Sequence, residues 1–191
     1  MIYTERLLNK MEMNLPNKLT MLRVILIPVF LLVLLSGIVP HPFNRIIAVL
    51  IFMAASFTDF LDGHIARKYN LVTNFGKFMD PLADKLLVTA ALISMIQLGD
   101  IAAWIVIVII SREFIITGFR TIAVERGIVI AASMWGKSKT TCQMIMIIVV
   151  LSGIFTGILG FINTVLIYVS VILTIISGVD YIVKNVDVLK G

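Results

Sequence analysis

Six apolar stretches, each about 20 residues long and separated by short breaks, constrain this chain more than any other feature. A helix crossing the hydrocarbon core of a bilayer needs about 20 mostly apolar residues. The expected spans run from Leu19 to Val39, Asn44 to Ile65, Phe75 to Leu98, Ile101 to Ala123, Ser138 to Leu159 and Phe161 to Val183. Turn formers mark several of the breaks: Pro40, Pro42 and Asn44, then Gly99 and Asp100, then Gly160 to Asn163. In a chain of 191 residues, 60% hydrophobic and 14% charged, six spans leave almost nothing for an extramembrane domain. The expectation is an all-α membrane protein, a six-transmembrane-helix bundle forming one domain over residues 1–191. A water-soluble globule and a disordered chain are both excluded by the apolar excess.

Residues 1–17 are expected as a juxtamembrane surface segment. Leu7, Leu8, Met11 and Leu15 recur there at helical spacing among charges, which fits a short interfacial helix ahead of Pro16 or an untethered tail. Glu5 and Glu12 stand beside Arg6 and Lys10, and no small-residue cleavage pattern follows the first span, so the start reads as uncleaved. An even number of spans puts both termini on one side of the membrane. Of the 16 Lys and Arg residues, 15 fall on that side and only Arg45 on the other, which makes the basic side cytoplasmic. The formal charge of +5 is therefore a bias toward one membrane face and its anionic headgroups. Nucleic acid is a poor partner for this charge, because the basic residues flank apolar helices and form no separate domain. The lone cysteine, Cys142, excludes a disulfide framework and a thiolate metal cage, so the chemistry falls to oxygen and nitrogen.

Four aspartates lie in or at the ends of the second and third spans, within TDFLDGHIARKYNLVTNFGKFMDPLADK. Carboxylates are costly in a membrane and are functional candidates by default. Asp59 and Asp62 are three residues apart and Asp80 and Asp84 four, so each pair shares one helix face. Two such faces turned together gather four like charges, and the natural compensation is one or two divalent cations, with all-oxygen ligation favouring Mg²⁺ or Mn²⁺. Gly63, Ala66 and Gly76 leave room for a ligand to approach the backbone beside the carboxylates, and Arg67 adds a fork-shaped donor for phosphate oxygens. Together these residues describe a site for a phosphate ester or pyrophosphate. The bland alternative pairs the aspartates with Arg67, Lys77 and Lys85 at the headgroup boundary. An ion or proton pathway is a better rival, although it gives the small residues no role.

A second cluster on the fourth and fifth spans carries Arg112, Glu113, Arg120, Arg126, Lys137 and Lys139 toward the same side. Arg112 and Arg120 stand about 80° apart around a helix and can look into one cavity. With Lys139 they are candidates for holding a phosphate dianion, whereas Arg126 and Lys137 read more simply as flanking positive charge. Gly153 and Gly157 in SGIFTGILG suit either a small-residue face for the expected homodimer or a loop. His41 and His64 are assigned no catalytic role.

The spacing Asp59, Asp62, Gly63, Ala66, Arg67, Gly76, Asp80, Asp84 resembles the signature of the CDP-alcohol phosphotransferases. Membership implies six transmembrane helices, cytoplasmic termini, an N-terminal surface helix and a location in the cell membrane. It also implies that Asp59, Asp62 and Asp80 hold two divalent cations on a donor pyrophosphate, with Asp84 near the second cation and acting as general base. Gly63, Ala66 and Gly76 then accommodate the cytidine nucleotide of the CDP-lipid, and Arg67 contacts its phosphates. NLPNKLTMLR, DPLADKLL, SREFIITGFR and GKSKT resemble most the family members that join CDP-diacylglycerol to sn-glycerol 3-phosphate, with Arg112, Arg120 and Lys139 as candidates for the acceptor phosphate. An acceptor carrying its own phosphate needs such a second anion pocket. Inositol phosphate, serine and phosphatidylglycerol are the rival acceptors within the family. An intramembrane prenyltransferase also uses aspartate-bound Mg²⁺, but is not expected to carry this glycine, alanine and arginine spacing.

Overall fold

The computed structural model describes residues 14–69, 73–128, 130, 133–155 and 157–186. The expected interfacial helix falls largely outside them. Among the described residues there are six α-helices and no strand: α1 (Leu15–Leu35), α2 (Phe43–Lys68), α3 (Asn74–Gln97), α4 (Ala103–Glu125), α5 (Met134–Ser152) and α6 (Phe161–Lys184). The all-helical expectation is met. Three stretches, Leu15–Leu35, Phe43–Gly63 and Phe161–Lys184, are long and apolar enough to cross a membrane by length and composition. Charged residues interrupt the other three helices: Asp80, Asp84 and Lys85 in α3, Arg112, Glu113 and Arg120 in α4, Lys137 and Lys139 in α5.

The chain forms two compact units, Met1–Ala90 and Ala91–Gly191, and the boundary falls inside α3. In the first unit α1 packs along α2. Asn14 caps α1, its side chain accepting the Asn17 N–H at 3.1 Å, and Pro16 occupies the first turn, where a missing donor costs nothing. The helix therefore starts four residues before the expected span. Buried Ile27, Phe30 and Leu34 recur along one face of α1, and Ala48, Phe52 and Ala55 along one face of α2. The Phe30 and Phe52 rings meet at 6.3 Å between centroids, with the fully buried Ala48 and Ala55 on either side of Phe52.

In the second unit α6 packs against both α4 and α5. Buried Ile105, Ile109, Ile116, Phe119 and Ala123 make a stripe of helical period on α4, and Arg112 stands in register with it. Ser133 caps α5, accepting the Gly136 N–H at 3.1 Å, and Gly153 ends the helix in the left-handed region at φ 64°. The fifth helix thus begins four residues before the expected span and ends seven before it. Gly157, also at positive φ, opens a short 3₁₀ turn over Gly157–Gly160 that leads into α6. Gly153 and Gly157 therefore belong to a turn and form no helical small-residue face.

Gly153→Ala places a Cβ in the left-handed region and is expected to cost about 1–2 kcal/mol. Gly118→Ala, in the interior of α4 with nothing within 4 Å of its added Cβ, is expected to be neutral or stabilising. Thermal melting of the two variants in detergent checks the contrast. Equal melting temperatures would remove the role assigned to the Gly153 cap.

Candidate active site

One face of α1 organises the first unit's polar residues. Asn17, Thr20 and Arg23 recur at a spacing of three, are all buried, and continue into the apolar Ile27, Phe30 and Leu34 of the same face. The stripe changes character after Arg23, whose side chain is 0% exposed. A guanidinium is tolerated there only if it is paired and hydrogen-bonded. Its Nη1 lies 2.7 Å from Asp59 Oδ1 and its Nη2 donates to Asp62 Oδ2 at 2.7 Å. Its Nε donates to the Ala55 carbonyl at 3.2 Å, one turn before Asp59 on α2. The fork spans the two carboxylates that the i, i+3 spacing places on one face of α2.

Thr20, one turn earlier on α1, donates to Asp80 Oδ1 at 2.6 Å and so brings the third carboxylate to the same stripe. Asn17 completes it. Its Oδ1 accepts from the Thr73 hydroxyl at 2.9 Å, and Thr73 Oγ1 in turn accepts the Gly76 N–H at 3.0 Å, which caps the first turn of α3. Gly76 has a packing reason as well. A Cβ added there would meet Asn17 Oδ1 at 3.2 Å, Thr73 Oγ1 at 3.3 Å and Asp80 Oδ2 at 3.6 Å. The space over Gly76 thus lies among the protein's own polar groups at the N-terminus of α3.

Asp59 is the open member of the cluster, with a side chain 42% exposed, whereas Asp62 is 2% exposed. Asp62 also interacts electrostatically with both Asp59 and Asp80. Asp84 follows one turn after Asp80 on α3 and is exposed. Pro81 between them cannot donate to the carbonyl four residues back, so the α3 hydrogen-bond ladder is broken beside the carboxylates. Ala66 and Arg67 continue α2 one turn beyond Asp62, and their side chains lie outside the described residues.

Among the described residues, no three His, Cys, Asp or Glu side chains converge closely enough to hold a metal ion unaided. The donor set nevertheless fits a hard divalent cation. It offers carboxylate and hydroxyl oxygens only, and Asp59, Asp62 and Asp80 outweigh the single charge of Arg23, leaving an excess of negative charge around Asp62.

The second unit holds the basic cluster. Arg112 Nη1 donates to Glu113 Oε1 at 3.2 Å, and Lys139 Nζ pairs with the same oxygen. Two cations thus share one carboxylate, and the Arg112 Nε is buried with no hydrogen-bond partner among the described residues. Lys139 and Gln143 head the buried stripe of α5, and Ser170, Thr174 and Ser177 lie on that of α6. Gly178 admits the arginine: a Cβ there would stand 3.3 Å from Arg112 Cγ. Arg120 goes elsewhere. It is exposed, its Nε donates to the Tyr181 hydroxyl at 3.2 Å, and its guanidinium lies 5.5 Å from the centre of that ring. Arg112 and Lys139 are brought together through Glu113, whereas Arg120 is held by Tyr181.

Of the four aspartates singled out by spacing, three are gathered on the α1 stripe. Arg23, Thr20 and Asn17 were not among the expected site residues. Their signal was present in NLPNKLTMLR, where the polar positions recur every three residues and run in phase with the apolar face that follows.

Comparison with known proteins gives the family of the chain. Residues 13–176 match the CDP-alcohol phosphatidyltransferase family. The chain is 51% identical over 141 residues to the CDP-diacylglycerol--glycerol-3-phosphate 3-phosphatidyltransferase of Bacillus subtilis, covering 69% of this chain and 73% of the relative. Relatives of the same name from Haemophilus influenzae and Rickettsia bellii are 46% and 40% identical, over 71% and 75% of this chain and 74% and 78% of their own lengths. The match takes in α1 through most of α6, and with it the carboxylates and the α1 stripe that holds them: the chain belongs to the CDP-alcohol phosphatidyltransferase family.

Proposed function

We propose that this protein is a phospholipid-synthesising transferase that moves the phosphatidyl group of CDP-diacylglycerol to sn-glycerol 3-phosphate, giving phosphatidylglycerol phosphate and CMP. The observation that carries the reading is that Asp59, Asp62 and Asp80 are each bonded to one buried stripe of α1, in a chain whose close relatives bear the name of that activity. All six helices cross the cell membrane, with the termini and the carboxylates on the cytoplasmic side, where 15 of the 16 basic residues fall.

Asp59, Asp62 and Asp80, with Asp84 one turn away, are the residues to hold two divalent cations, Mg²⁺ or Mn²⁺. Such ions neutralise a pyrophosphate and draw charge from the breaking phosphorus–oxygen bond. Gly63, Ala66, Arg67 and Gly76 flank the carboxylates and take the cytidine end of the CDP-lipid. Asp84, exposed at the open end of the α3 pair, accepts the proton of the acceptor hydroxyl as that oxygen attacks the β-phosphorus. The bond between this phosphorus and the bridging oxygen breaks, and CMP leaves with the electron pair. No covalent enzyme intermediate is required.

Arg112 and Lys139 are the residues for the acceptor's phosphate. They meet at Glu113 in a partly buried setting, and the Arg112 Nε still has a hydrogen to donate. Arg120 supports the pocket from its place on Tyr181.

Purified protein supplied with radiolabelled CDP-diacylglycerol, Mg²⁺ or Mn²⁺ and a panel of acceptors should release CMP with sn-glycerol 3-phosphate and far less with serine or inositol phosphate. Asp84→Asn should lower turnover by roughly 10²–10⁴-fold while donor binding persists. A near-normal rate would remove Asp84 from its role. Arg112→Ala should raise the KM for glycerol phosphate about tenfold or more with little change in that for the donor. Arg120→Ala should have a smaller effect. An unchanged KM in Arg112→Ala would place the acceptor pocket elsewhere.

A further inference from the structure

Arg23 is the most buried charged group among the described residues, and the chemistry above assigns it no step. It does not touch the reacting atoms. Its Nε and Nη2 hydrogen-bond to the Ala55 carbonyl and to one oxygen of Asp62, and its Nη1 is ion-paired with one oxygen of Asp59 at 2.7 Å without hydrogen-bond geometry. A planar fork with one nitrogen tied to a carbonyl has little freedom to rotate, so it dictates which oxygen of each carboxylate points inward and which is left outward. The same contact supplies a resident positive charge to two aspartates that otherwise repel each other and Asp80.

We propose that Arg23 is a positioning residue for the divalent-cation site: it holds Asp59 and Asp62 by one oxygen each, keeps the cluster assembled without metal, and presents the remaining oxygens for ligation. The inference rests on reading the carboxylates as a metal site and adds to it a residue that orients the ligands from behind. Residues that orient metal ligands typically change affinity by about 10–100-fold when removed. Charge and geometry can be separated here. Lysine keeps the positive charge but is a single point donor, and cannot span both carboxylates and the Ala55 carbonyl as the fork does.

The test is Mn²⁺ binding to the full-length protein in detergent, followed by electron paramagnetic resonance of the free ion, for the unaltered protein and for Arg23→Lys. A positioning role predicts that Arg23→Lys weakens Mn²⁺ binding at least about tenfold, even though the local charge is conserved. Equal affinity in the two proteins would overturn the proposal and leave the metal reading standing. Absence of Mn²⁺ binding by the unaltered protein would overturn both. A second measurement needs no variant and covers the case in which Arg23→Lys does not fold. The unaltered protein should melt cooperatively in EDTA, within a few degrees of its melting temperature in Mn²⁺, because Arg23 already compensates the carboxylates. Loss of the cooperative transition in EDTA would show that the metal alone assembles the cluster, and would sink the proposal.

Discussion

A single guanidinium between two carboxylates is the interaction on which the first unit depends. Arg23 sits at full burial where the face of α1 turns from polar to apolar, and breaking its pair with Asp62 strands a buried charge away from water. Breaking a buried pair of this kind typically costs about 3–5 kcal/mol, whereas the same pair compared with a well-packed apolar substitute often contributes nothing to stability. Its value is therefore not in holding α1 to α2, which Phe30, Phe52 and the alanines beside it already do. Its value is in deciding how Asp59 and Asp62 stand.

The polar groups of the first unit form one connected set. From Asn17 through Thr20 to Arg23, each buried side chain of α1 reaches a different neighbour: the cap of α3, the carboxylate of α3, then the carboxylates of α2. Three helices are thus linked by hydrogen bonds between these polar ends, while apolar packing continues along α1 and α2 beyond them. The second unit repeats the pattern in other residues. Lys139 and Gln143 begin a stripe on α5 that turns apolar at Met146 and Ile147, and the small hydroxyls of α6 face its interior.

Much of this was legible in the residues. Carboxylates at i, i+3 and i, i+4 inside apolar stretches carry their own message, since helix geometry alone puts each pair on one face. Arg23 was hidden because a lone arginine near the start of a first span is also what positive-inside flanking produces. Only its phase with Asn17, Thr20, Ile27 and Phe30 distinguishes the two. Arg120 illustrates a different limit: the angle of about 80° from Arg112 is sound, but eight residues also separate the two by about 12 Å along the axis, which is far enough for Tyr181 to claim the second arginine. The end of α5 depended on Gly153 adopting positive φ, and Gly76 on an atom of Asn17 in α1, 59 residues back in the chain. Neither shows in local apolar periodicity.

The sequence distance between Arg23 and its partners sets a condition on biogenesis. Asp62 follows Arg23 by 39 residues, so α1 leaves the ribosome ahead of the helix that carries its counter-charges. An arginine at the centre of a spanning helix costs about 2.5–3.5 kcal/mol on insertion scales, and Arg23, in the first half of α1, costs less than that. The remaining apolar length of α1 offsets that cost, but the arginine is satisfied only when α2 arrives. The first two helices are thus coupled as a hairpin during synthesis, with the ion pair closing behind them as the step that completes it.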